Sequence, residues 1–419
     1  MKIFKFGGAS VKNAEAVMNV LAILNHFKSE RLIVVISAMG KTTNAIEIVL
    51  NKWLEGKNFD SELQQLNEYH IEILDQLDFL LPDNINRHLY TFYFDQLRAI
   101  LSQKPEFEYD KHYDQIVSFG EYFSTSIVSS AAECQGKLIT FHDVRNSIKT
   151  NSRFRSATVN WEKSATVSKE LSDLSSLNSV VITQGFIGQD ENLNTTTLGR
   201  EGSDYSAAVL AYLHNAESVT IWKDVPGMLN ADPRHFPEAV KLERISYLEA
   251  IELSYYGASV IHPKTIQPLQ NKGIPLYVKS FLHPEESGST IQEDESSDEE
   301  IPSFIIKHNQ YLVSLSTRDF SFIVEEHLSE IFEALAKHGI KINVMQNSAI
   351  SFSFCIDEEE RKFNLFREEI QKKYVIKYNT GLSLLTIRHY TDPIVQKLII
   401  GREIFLEQRS RNTMRIVMR

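Results

Sequence analysis

Met1-Lys2-Ile3-Phe4-Lys5-Phe6-Gly7-Gly8-Ala9-Ser10 opens the chain, and Leu32-Ile33-Val34-Val35-Ile36-Ser37 follows some twenty residues later. Residues 2–6 and 32–37 read as short apolar strands. Between them, Ala14 to Phe27 repeats its apolar positions at helical spacing. Strand, helix, strand in this order is a βαβ unit, and a βαβ unit means a parallel sheet. The pair Gly7-Gly8 sits where the first strand ends. Paired glycines let a backbone approach a phosphate closely, and Lys5 beside them could set an ammonium against phosphoryl oxygens. A tight turn explains two glycines equally well.

Working outward, residues 43–104 read as a mostly helical insertion. Leu63, Leu66, Ile73, Leu74 and Leu77 recur at helical spacing, and Pro82 and Pro105 punctuate the stretch. One helix is expected from about Tyr113 to Cys134. Strands are expected at Lys137–Phe141, Ser179–Thr183, Ser218–Ile221 and Leu276–Val278, with helices at Ser203–His214 and Tyr247–Tyr255. Residues 1–282 thus form one α/β domain. Between Glu285 and Glu300 eight acidic residues occur with no Lys or Arg, the composition of a solvated linker, placed at 283–303. Beyond it, strands at Tyr311–Thr317, Ile342–Gln346, Ser351–Ile356 and Ser383–His389 alternate with amphipathic helices at Glu325–His338 and Glu359–Lys373. That β-α-β-β-α-β order is ferredoxin-like.

Composition narrows the class. The 419 residues are 42% apolar and 24% charged, as in ordinary soluble proteins, and are too many for one core. No apolar run approaches a membrane span, and the N-terminus has no signal-peptide stretch. Cys134 and Cys355 lie far apart, away from other metal-ligand residues, and read as buried thiols of a reducing compartment. A cytoplasmic location is expected. The net charge of −11 disfavours nucleic acid and anionic membrane as partners.

Four further segments invite a chemical reading. Gly40-Lys41-Thr42 follows a strand, but a P-loop needs glycine where Val35 stands, so that reading is rejected. Thr195-Thr196-Thr197-Leu198-Gly199-Arg200-Glu201-Gly202-Ser203-Asp204 leads into a helix whose first turn holds Ser203 and Asp204, an N-terminus suited to an anion. Trp222 to Arg234 begins as a strand ends, where open α/β sheets bind ligands. His262, before Pro263, reads as a packed or capping histidine.

Together the segments KFGGAS (5–10), VVISAMGKTTN (34–44), SFGEYFS (118–124), GFIG (185–188), TTLGREGSDYSAA (196–208), Lys223–Arg234 and GASVIHP (257–263) resemble the aspartate kinases of the amino acid kinase family. Glu407 to Thr413 resembles the end of that family's paired ACT modules. The resemblance implies a kinase-type α/β sheet sandwiched by helices, followed by ferredoxin-like ACT modules at 304–380 and 381–419. It implies ATP, with Mg²⁺ carried mainly by its phosphates, and L-aspartate as substrates. Lys5, Gly7, Gly8 and Asp204 would form the phosphoryl-transfer site. Ser37, Thr43, Glu121, Arg200 and Ser203 would hold aspartate. Lys223, Asp224, Leu229, Arg234, Ser259 and Val260 would line the nucleotide site.

The chemistry suits these residue types. A side-chain carboxylate, with pKa of about 4, is already ionised at neutral pH and needs no general base. The task is bringing an anion to a polyanion, by positioning and cationic stabilisation. Three departures from the family pattern stand out. Glu201 occupies a position usually glycine, Leu229 one often tyrosine, and Ser259 one often lysine, for which Lys223 could supply the missing cation. The second module looks short, leaving an open sheet edge that a homodimer would cover, with lysine or threonine as effector at that interface. Other acceptors (glutamate, N-acetylglutamate, a nucleoside monophosphate) and a catalytically silent amino-acid-binding regulator are the alternatives. No residues follow Arg419 for a dinucleotide-binding domain, so a homoserine dehydrogenase fusion is not expected.

Overall fold

The structure, a computed structural model, describes all residues except 107, 137, 170, 172–179, 259–260 and 320. The chain divides into two compact units. The first comprises Met1–Met228, Lys241–Ile251 and Val260–Glu295, and the second Leu229–Val240, Glu252–Ser259 and Ser296–Arg419.

In the first unit the strands are β1 (Lys2–Phe6), β2 (Leu32–Ile36), β3 (Ile139–His142), β4 (Val180–Gln184), β5 (Ile187–Gln189), β6 (Thr195–Thr197), β7 (Ser218–Lys223), β8 (Arg244–Ser246), β9 (Leu276–Ser280) and β10 (Ser289–Gln292). Eight of them form one sheet in the order β3-β4-β2-β1-β7-β9-β10-β8, while β5 and β6 pair as a separate hairpin. All neighbours from β3 through β9 are parallel. β2 and β4 are buried along their whole length, as a sheet covered on both faces requires. The βαβ unit holds, with its helix at Ala14–His26 capped by Asn13 Oδ1.

The helical insertion is three helices, Thr42–Leu54, Asp60–Leu80 and His88–Leu101. Its predicted apolar positions are all buried. The single helix expected over Tyr113–Cys134 is two, Tyr109–Val117 and Phe119–Cys134. Ser118 Oγ donates to the Gln115 carbonyl at 3.1 Å, and Gly120 follows, a Ser/Gly pairing that breaks helices. The acidic run is also not wholly a linker. Ser289 and Ile291 alternate inward within it, and Ser289 Oγ accepts from the Met228 N–H at 2.8 Å, so this part becomes β10. The strands expected to begin at Lys137 and Ser179 start with residues outside the described set.

The second unit is built on one antiparallel sheet of β11 (Ser303–Thr317), β12 (Ile342–Asn347), β13 (Ser351–Asp357), β14 (Tyr374–Arg388), β15 (Ile404–Arg409) and β16 (Thr413–Met418). Its order is β12-β13-β11-β14-β16-β15. β11 and β14 each run 15 residues and serve both modules. Gln310–Thr317 pairs with the first half of β14 in the ferredoxin-like module, whose helices are Glu325–Lys337 and Glu360–Ile370. Its core gathers Val313, Leu315, Ile331, Phe354 and Phe366.

Ser303–Lys307 pairs with Leu384–Arg388 and joins β15, β16 and the helix Asp392–Ile399. The edge expected to lie open is therefore closed by residues upstream of the first module, which is inserted within the second. The register shifts between Lys307 and Gln310. Beside that shift Asn309 takes φ 55°, and Gly381 takes φ 65° within β14. The sheet curls there, and Gln408 Nε2 on β15 donates to the Met345 carbonyl on β12 at 3.1 Å. Cys355 is buried in this sheet, whereas Cys134 is only partly buried, contrary to its expected burial. Among the described residues no helix is long and apolar enough to cross a membrane.

Candidate active site

Because β4, β2, β1 and β7 are parallel, their C-terminal ends open onto the same side of the sheet, where ligands bind in such folds. Chain order reverses direction between β1 and β7, and Lys5 and Lys223 lie at that switch. Lys5 pairs with Ile221, so Lys223, two residues on, shares its face of the sheet. Gly8 begins the turn after β1. A Cβ there would lie 2.7 Å from the Ala38 carbonyl oxygen, and the Gly8 carbonyl accepts from the Gly40 N–H at 3.1 Å. The turns after β1 and β2 are thus in backbone contact, which only glycine permits.

Two helix N-termini face this junction. The helix Gly202–His214 carries Ser203 and Asp204 in its first turn, at the positive end of its dipole. Lys5 Nζ lies 2.5 Å from Asp204 Oδ1, and Lys223 Nζ lies 3.7 Å from Oδ2. The helix Phe119–Cys134 is buried from Phe119 to Ala132 and brings Glu121 in from the other side. Ser124 Oγ donates to the Ser37 carbonyl at 2.6 Å and locks that helix to the end of β2. Burial pushes the Glu121 carboxyl up to about 8, against the opposing pull of Lys5 and of the Ala38 N–H that it accepts. Its Oε2 has no hydrogen-bond partner among the described residues.

A cavity of about 550 Å³ joins Lys5, Gly8, Ser37, Thr43, Glu121, Arg200, Ser203, Asp204 and Lys223. Gly7 follows β1, and a Cβ on it would lie 3.3 Å from Lys5 Nζ. Arg200 is exposed, and its guanidinium has no ion-pair partner among the described residues. Asp224 is exposed at the end of β7. Leu229 and Arg234 belong to the second unit, where Arg234 forms a two-point pair with Asp232, with Nη2 2.6 Å from Oδ2. Ser259 and Val260 lie outside the described residues.

The cavity also contains residues that sequence reasoning did not select, namely Tyr113, Arg155 and Phe186. Nothing local marks Tyr113 and Arg155, which reach the site only through the fold, whereas Phe186 lies within the GFIG segment (185–188) quoted above. Glu201, noted as a departure, lines the cavity with φ 53°. Burial and the neighbouring Asp204 push its carboxyl up, against the pull of Lys223 and Arg200. Four cationic side chains (Lys5, Arg155, Arg200, Lys223) therefore meet three carboxylates, two of them biased toward the neutral form. The arrangement favours anions. Among the described residues no three His, Cys, Asp or Glu side chains gather as a metal cage.

Residues 1–280 match the amino acid kinase family. The chain is 32% identical over 362 residues to the lysine-sensitive aspartokinase 3 of Escherichia coli (strain K12), covering 85% of this chain and 78% of that protein. It is 29% identical to the chloroplastic aspartokinase 2 of Arabidopsis thaliana, over 92% of this chain and 73% of that one. Among solved structures, E. coli aspartokinase III in complex with lysine and aspartate (T-state) superposes with TM-score 0.82 at 26% identity, over 100% of this chain and 95% of that one. The same enzyme with aspartate and ADP (R-state) gives TM-score 0.80, over 100% and 96%. With a parallel sheet presenting cations at its switch point and relatives matched along nearly their whole fold, the chain belongs to the amino acid kinase family, among its aspartokinases.

Proposed function

We propose that the protein transfers the γ-phosphoryl group of ATP to the side-chain carboxylate of L-aspartate, giving 4-phospho-L-aspartate. The observation that carries this reading is the meeting of Lys5, Asp204, Glu121 and Arg200 around one cavity at the sheet's switch point. ATP would enter as its Mg²⁺ complex, with the metal carried mainly by the phosphates, where it would offset their charge. Lys5, held by Asp204, faces the transferring phosphoryl group, and the glycine turn after β1 gives its oxygens backbone donors. Lys223 adds a second cation toward the nucleotide. Asp224, exposed just past β7, is assigned to the nucleotide site with it in this reading.

Arg200 grips the α-carboxylate by its planar fork, and Glu121 takes the ammonium. Ser37, Thr43 and Ser203 offer hydroxyls to the same substrate. A bound ammonium beside Glu121 offsets the carboxylate's burial and draws it to the charged form. The test is ATP turnover with aspartate set against glutamate and N-acetylglutamate. Turnover with aspartate at least about tenfold faster supports the assignment, and no aspartate-dependent ADP release would end it.

The second unit, in this reading, senses an end-product amino acid, lysine or threonine, and pairs two chains into a homodimer in the cytoplasm. Support comes from the relative described as lysine-sensitive and the relative solved with lysine bound. Exposed Phe322, Met345 and Ile350 on the first module supply apolar surface for pairing. Sedimentation of the full chain, with and without lysine or threonine, tests both parts.

A further inference from the structure

Arg155 holds φ 63°, a left-handed conformation that glycine adopts freely and arginine only against a steric cost. A side chain retained at such a position points to a use for it. Its guanidinium lines the same cavity as Arg200, stacked at 4.6 Å over the ring of Tyr113, which also lines it. One Nη1 contact reaches the exposed Asp110 at 3.4 Å. The remaining guanidinium donors have no acceptor among the described residues.

The segment is built onto the one that carries Arg200. The Ala157 N–H donates to the Thr197 carbonyl at 2.9 Å, and a Cβ on Gly199 would lie 3.1 Å from the Arg155 carbonyl oxygen. Asp114, wholly buried, clamps both segments at once. Its carboxylate accepts the Arg155 N–H at 3.0 Å, the Thr197 N–H at 2.8 Å and the Thr197 hydroxyl at 2.7 Å. Two arginines on welded segments line one cavity with spare donors. That pairing is unfavourable until an anion lies between them.

We propose that Arg155 is a second α-carboxylate-binding residue, forming with Arg200 a two-arginine clamp that Asp114 positions. This inference rests on the aspartate reading above. It separates the substrate's two carboxylates. The clamp holds the α-carboxylate on the side of β6, and the other carboxylate stays free to face Lys5.

The test is Arg155→Gly, a substitution whose backbone preference suits φ 63°, so the fold is kept. Aspartate KM should rise about 10- to 100-fold, the scale of a lost charged hydrogen bond, with kcat and ATP KM within about twofold. The α-amide of aspartate, which lacks the clamped charge, serves as the second probe. The preference for aspartate over this amide should shrink by a similar factor in Arg155→Gly and in the positioning variant Asp114→Asn, and Arg155→Lys should restore part of it. An unchanged aspartate KM overturns the clamp, as does an unchanged preference, or a rise in ATP KM instead. Arg200→Lys, run in parallel, keeps the two readings apart. If it raises aspartate KM while Arg155→Gly does not, only the clamp fails, and if neither responds the aspartate reading fails as well.

Discussion

The Lys5 ammonium lies 2.5 Å from Asp204 Oδ1, with side chains 11% and 4% exposed, so a strand end and a helix N-terminus are joined by a nearly dry ion pair. Such a pair fixes a cation in place before substrate arrives, and preorganised charge is the main resource for phosphoryl transfer. Lys5→Ala should therefore lower kcat about 10²–10³-fold and leave aspartate KM nearly unchanged. The same substitution leaves buried Asp204 with Lys223, at 3.7 Å, as its remaining ion-pair partner among the described residues. Uncompensated buried charge costs about 3–5 kcal/mol, so a lowered Tm should accompany the loss. Removing both partners in Lys5→Ala/Asp204→Ala should restore part of the Tm and none of the activity. Wild-type turnover in Lys5→Ala would falsify the phosphoryl-site assignment.

Arg200 offers the cavity a guanidinium with no ion-pair partner among the described residues. A lysine there keeps the charge and loses the planar fork. Arg200→Lys should raise aspartate KM about tenfold or more while ATP KM stays within about twofold. Comparable rises for both substrates would move Arg200 to the phosphates.

The site was legible where it depends on local pattern and illegible where it depends on distance in sequence. Lys5, Gly7 and Gly8 end a five-residue apolar strand, and Ser203 and Asp204 open a helix rich in small residues, both of which can be read residue by residue. Arg155 and Asp114 lie 41 positions apart and meet only because Tyr109–Val117 packs beside β6. In the second unit strand length is what the sequence conceals. His308-Asn309-Gln310 and Asn379-Thr380-Gly381 look like boundaries because they are polar and turn-prone. They are instead the bulge and kink at which β11 and β14 pass from one module to the other. A strand shared by two modules leaves no compositional trace, and its first five residues were assigned to the linker and the first module.

Glu121 carries a pH signature. Burial raises its carboxyl from the ordinary 4.5 to about 8 in the folded, substrate-free protein. The unfolded chain ionises near 4.5 and the folded one near 8, so this group's contribution to stability is complete below 4.5. It declines as pH rises through that interval to about 8. The Tm of the substrate-free protein should fall over this range, and Glu121→Gln should flatten the fall. If Glu121 holds the substrate ammonium as proposed, it must be charged to do so, and aspartate KM should decrease with rising pH, by up to about tenfold per unit below 8. In Glu121→Gln that slope should vanish and KM should be high throughout. A pH-independent KM in the wild-type protein would show that Glu121 is not the ammonium's partner.

Gly185 tests how closely the end of β4 and the helix Gly202–His214 must approach. A Cβ at this position would lie 2.5 Å from Ser203 Cβ and 2.8 Å from its Cα and Oγ, and the Cα is backbone that cannot swing aside. Alanine must therefore push the helix N-terminus away from the strand, carrying Ser203 and Asp204 with it. Overpacking of this kind costs about 1–3 kcal/mol in stability. A shift of about 1 Å in a positioned reacting group can cost a further ~10²-fold in rate. Gly56 provides the control, because its φ is 66° and nothing lies within 4 Å of an added Cβ. Gly56→Ala should lose about 1–2 kcal/mol from backbone conformation alone and keep kcat/KM for aspartate. Gly185→Ala should lose similar stability and about 10- to 100-fold in kcat/KM. Equal kcat/KM in the two variants, at equal Tm, would mean that Ser203 and Asp204 tolerate displacement and do not hold the reacting groups in register.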